Sequence, residues 1–133
     1  MEVKLAALAD SANLSQEGKL NVLGIFNKVG AHSFPAQHPG SAFIIVLEAH
    51  PTEAGQHEVE VLFVDEDGQV QMKAGITVEF PRPEDPLRPM HANLIMPIPM
   101  LPLPSEGVYR FDILVDRRHE AEVELVAQVV PGA

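Results

Sequence analysis

The chain has 133 residues, 46% of them apolar and 21% charged, with a net charge of −10 from 19 acidic and 9 basic residues. That length fits one domain, residues 1–133, with a core of its own, and such acidity excludes nucleic acid and anionic membrane surfaces, which are recognised by basic patches. Cysteine is absent, so disulfides, thiolate zinc sites and thiol nucleophiles are excluded as well.

Alternation of apolar and polar side chains with period two runs through the chain, which is the signature of β-strands with one wet face. The first strand is predicted over residues 2–9. Its apolar stretch is short and is broken by Asp10, which makes it a poor signal peptide. Residues 13–16 offer at most one helical turn. A second strand covers 19–27, entered through Gln16-Glu17-Gly18. The segment 30–40 carries two prolines and reads as a linker crossing between sheets. The third strand, 42–50, contains Phe43-Ile44-Ile45-Val46-Leu47, apolar on both faces, and is expected in the middle of a sheet or beneath a partner.

Residues 57–64 and 69–80 form a predicted hairpin around Asp65-Glu66-Asp67-Gly68, where glycine supplies a positive φ. The expected register sets Phe63 opposite Val70, Val61 opposite Met72, and Glu60 opposite Lys73. Residues 81–89 carry four prolines and read as a loop. A strand over 90–96 is then interrupted by the prolines of 97–104. A final hairpin joins 109–115 to 121–129 through a turn at Arg117-Arg118-His119, with Val115 opposite Ala121, Ile113 opposite Val123 and Phe111 opposite Leu125.

The expected fold is therefore all-β: a single-domain antiparallel β-sandwich of about eight strands, with a closed β-barrel as the competing architecture. No apolar run reaches the roughly 18 residues of a membrane span, and a cytoplasmic protein is expected.

No catalytic, cofactor or metal residue stands out. Ser11, Ser15, Ser33, Ser41 and Ser105 lie outside any nucleophile-elbow pattern. The six histidines include no H-x-H or H-E-x-x-H spacing. His50 and His57 bracket a turn and could face each other around a divalent ion, although solvated turn residues are the simpler reading. The acidic turn at 65–68 falls short of a calcium loop. Along the last hairpin Asp112 is expected opposite Glu124 and Asp116 opposite Glu120. A slip of two residues would still cluster these acids with Glu122, at a cost that Arg110, Arg117 and Arg118 offset in part. Met96, Ile98, Met100, Leu101 and Leu103 are too many apolar residues for a wet loop; they cap the sandwich or form an interaction surface.

Several stretches carry a resemblance: Lys4-Leu5-Ala6 through Ala9-Asp10 followed by residues 15–26, then Phe34-Pro35-Ala36 with the acidic 65–68 turn, and Gly107-Val108-Tyr109-Arg110-Phe111-Asp112-Ile113 running into Val115-Asp116. Together they resemble a family of small bacterial proteins known only as a domain of unknown function. The resemblance covers nearly the whole chain; it implies a compact β-sandwich and transfers no functional residues. The expected role is a non-enzymatic binding module with no cofactor, which associates with itself as a homo-oligomer or with another protein. The alternative is a small-molecule or divalent-metal-binding sandwich.

Overall fold

The computed structural model describes residues 1–131 and contains, among them, nine strands and a single 3-10 turn at Pro51–Glu53. The strands are β1 (Glu2–Leu14), β2 (Leu20–Ile25), β3 (Lys28–Ala31), β4 (Ala36–Ala49), β5 (Gly55–Val64), β6 (Val70–Phe80), β7 (Met90–Leu103), β8 (Gly107–Val115) and β9 (Arg118–Val129). They form two sheets, in the orders β2-β1-β4-β7 and β3-β9-β8-β5-β6. The all-β sandwich is thus the fold, with one strand more than eight. Among the described residues each sheet ends in two open edges, so the barrel alternative is not formed.

The doubly apolar segment of β4 is central in its sheet. Phe43, Ile45 and Leu47 enter the core, while Ile44, on the other face, lies between Ala7 of β1 and Ile95 of β7 and is fully buried. The tip of the β1–β2 hairpin reaches across this outer face, where Asn93 Nδ2 donates to Gly18 O at 3.1 Å.

Across the core, Phe43 of β4 stacks on Phe111 of β8 with ring centroids 4.7 Å apart. Phe63 of β5 packs on both Phe111 and Tyr109. Tyr109 OH donates to Ser105 O (2.5 Å) and accepts from Ser105 N (3.2 Å). This tyrosine corner pins the crossing from β7 to β8 and satisfies a buried hydroxyl, as in immunoglobulin-type Greek keys. Aromatic stacking here ties the sheets together without any disulfide.

Three expectations are corrected. The linker 30–40 does cross between the sheets, from β3 to β4, but it is largely strand: β3 pairs in parallel with β9, and β4 already begins at Ala36. Both hairpins are shifted by two residues over most of their length. Phe63 faces Met72 and Val61 faces Ala74, while Ile113 faces Ala121 and Phe111 faces Val123. An even shift keeps each residue on its face, so apolar still meets apolar. Finally, β7 does not stop at Met96. It runs through Pro97, Pro99 and Pro102 to Leu103, because it is an edge strand, where a missing N–H leaves no inner ladder broken.

Candidate interaction surfaces and side-chain clusters

The five apolar residues expected to offer a surface are mostly spent on the core. Met96, Ile98, Leu101 and Leu103 are buried; Met100 alone is half-exposed. The cause lies at Gly40, whose φ of +65° sits in the left-handed region; Gly40 and Pro99 drop out of the β4–β7 ladder between the pairs Pro39–Met100 and Ser41–Ile98. There β4 and β7 turn together, and the inward side changes from Met96 and Ile98 to Leu101 and Leu103. The alternation on either side of the turn belongs to one core, which a sequence read as an interrupted strand does not reveal.

On the outer face of the larger sheet, Asp112 of β8 pairs directly with Glu122 of β9. Asp112 is 8% exposed. Arg110 Nε donates to both Asp112 oxygens, at 3.0 and 3.1 Å, and lies 3.8 Å from Glu122 Oε2. A register shift between Ile113 and Leu114 turns His119 toward the same point, with Nε2 3.2 Å from Asp112 Oδ1. One ligand atom from each of Asp112, His119 and Glu122 lies within 4.8 Å of the others. The acids were legible in the sequence through the two-residue slip. His119 was not, because it was assigned to the turn. Arg110 already supplies the positive charge that two opposed carboxylates need. Beside this cluster lies an open hollow of about 380 Å³ lined by Glu66, Val108, Tyr109, Arg110, Glu122 and Glu124.

His50 and His57 do not face each other. His50 caps the 3-10 turn, its Nδ1 accepting from Thr52 N at 3.2 Å. His57 Nδ1 lies 2.6 Å from Asp116 Oδ2 and its Nε2 lies 2.6 Å from Glu53 O. A carbonyl and an ionised carboxylate only accept, so this pair of contacts favours the doubly protonated, charged form of the His57 ring. Its pKa is accordingly raised, first by the bond to Asp116 and then by that to the Glu53 carbonyl. Asp116 is lowered, chiefly by His57. Glu53 is lowered chiefly by its bonds to the Met1 ammonium, at 2.7 and 2.8 Å, and then by the His50 amide. Asp116 also accepts from Glu58 N at 3.0 Å. These contacts fasten the β8–β9 turn, where Asp116 and Arg117 both have positive φ.

The 65–68 turn spends its leading carboxylate on itself. Asp65 accepts from Asp67 N, Gln69 N and Gln71 Nε2. Glu66 reaches β8 and accepts from Val108 N at 2.6 Å. Position 107 has φ +148°, a conformation that L side chains rarely adopt, and a Cβ there would also crowd the Glu66 carboxylate at 2.8 Å; glycine meets both.

The four sheet edges differ. β3 has only four residues. β2 has six and is kinked at Gly24, φ +72°. β7 carries Pro97, Pro99 and Pro102. β6 has eleven residues, no proline, and an unbroken register with β5 from Met72 to Phe80. Its outward side chains include Lys73, 3.4 Å from Glu60 of β5, and Glu79, which has no ion-pair partner among the described residues.

A family model matches residues 4–128. The chain belongs to that family, a family of unknown function (DUF6941). The DUF6941 match spans all nine strands but for the outermost residues of β1 and β9. A search of curated proteins found no match. Among the described residues no helix is long and apolar enough to cross a membrane.

Proposed function

We propose that the protein is a non-enzymatic assembly module of the cytoplasm, which joins another protein chain, its own kind or a different one, by adding strands at an open sheet edge. The observation that carries this reading is β6: eleven residues without proline, nine of them, Met72 to Phe80, in unbroken register, at the border of the larger sheet. Its outward backbone groups form a template for a further strand. The charge of −10 supports solubility while leaving β6, with one lysine and one glutamate, neutral. Light scattering over a concentration series tests the self-associating form. The mass is expected to rise above the 14.5 kDa of one chain; a mass that stays there at every concentration contradicts it.

A second reading, a divalent cation held by Asp112, His119 and Glu122, is favoured by the closeness of their ligand atoms. Arg110 would have to swing away. Elemental analysis and melting with added zinc or calcium test it. Bound metal, or a rise in melting temperature that Asp112→Asn abolishes, supports a cation site. The absence of both contradicts it.

A further inference from the structure

Resting on the assembly reading, we infer that β6 pairs antiparallel with β6 of a second copy of this chain, about a two-fold axis at Ile76. A pairing of identical strands that keeps the wet face wet must set residue i against a residue of equal parity, so the axis passes through a residue. Centred on Ile76, the pairing sets Met72 against Phe80, Ala74 against Val78 and Ile76 against itself on the core side. On the wet side it sets Lys73 against Glu79 of the second copy and Glu79 against its Lys73. Moving the axis to Gly75 sets Lys73 against Thr77, and moving it to Thr77 carries Lys73 past the end of the strand. Among these neighbouring registers, charge complementarity selects Ile76.

The rest of the surface explains why this edge and this partner fit. A chain of net charge −10 repels its copy over most orientations. β6 contributes no net charge and satisfies both its charged residues symmetrically. Its apolar row is half-covered at Met72, Ala74 and Ile76, so an added strand extends the core without creating a new apolar face. The pairing joins the two five-stranded sheets into one.

Sedimentation velocity of the full chain tests this with Lys73→Glu and Glu79→Lys. Each variant alone brings like charges together at two places and is expected to raise the dimer Kd at least about tenfold. An equimolar mixture of the two restores both opposite-charge pairs and should dimerise within about threefold of the wild-type Kd. Both side chains are exposed, and recovery in the mixture also shows that the variants are folded. A dimer indifferent to either substitution, or no recovery in the mixture, overturns β6 pairing while leaving assembly through another surface. A monomer at every concentration overturns the pairing and self-association together, leaving a strand of a different protein as the partner.

Discussion

β6 and β7 are edges of different sheets that lie against each other across the sandwich, and they are finished in opposite ways. β7 places prolines at 97, 99 and 102, so its open side is short of donors. β6 keeps all its donors over eleven residues and carries one lysine and one glutamate. Within one molecule, then, one edge is closed to further strands by composition and its neighbour is left able to accept one. An edge left open is a liability for a monomer and an asset for an assembly.

The largest expected effect concerns how β7 shares its residues between core and surface. Leu101→Ala should cost roughly 3 kcal/mol in urea unfolding, as for a fully buried leucine. Met100→Ala should stay within about 0.5 kcal/mol. Equal losses would mean that the turn at Gly40 and Pro99 does not select the inward side.

Next in size, His57→Gln should lower stability at pH 6 by about 1.5 kcal/mol, since it removes a charged bond at a partly exposed aspartate. His57 stands opposite Val78, with its ring against Phe80, and so steadies the end of β6. The sign of the pH dependence follows from the directions of the shifts. His57, raised from 6.5, contributes fully below its unfolded pKa and loses that contribution as pH rises through its folded value. Asp116, lowered from 3.8, contributes above its unfolded pKa and loses that as pH falls through its folded value. The wild type should therefore lose melting temperature relative to His57→Gln as pH rises from 6.5 upward. Parallel melting curves across that range would refute the link.

Gly40→Ala should cost about 1 kcal/mol by chemical denaturation, because a Cβ disfavours φ +65° even in open space. The smallest stability effect is expected for Pro97→Thr with Pro99→Thr, within about 0.5 kcal/mol. That pair restores two donors to the β7 edge and should add concentration-dependent association at it. Unchanged sedimentation would show that the prolines are not what closes this edge.

Most of the strands were legible because each has a wet face and a dry one; β6, from Val70 to Phe80, is the clearest. What was hidden depended on contacts far apart in the chain. The turn at Asp116-Arg117 lacks the usual glycine and is held instead by His57 and Glu58, so local signals placed it one residue late. β3 is four residues long and exists through its pairing with β9. β7 continues through its prolines because it lies at an edge, a fact of sheet order that periodicity does not contain. The Asp112–His119–Glu122 cluster depends on a register shift that one strand alone does not announce.

The most direct test of the account is amide hydrogen exchange, residue by residue, at low and high protein concentration. The outward amides of β6 between Met72 and Phe80 should gain protection as concentration rises, while those of β7 stay unchanged. Protection that rises elsewhere with β6 unaltered would contradict it.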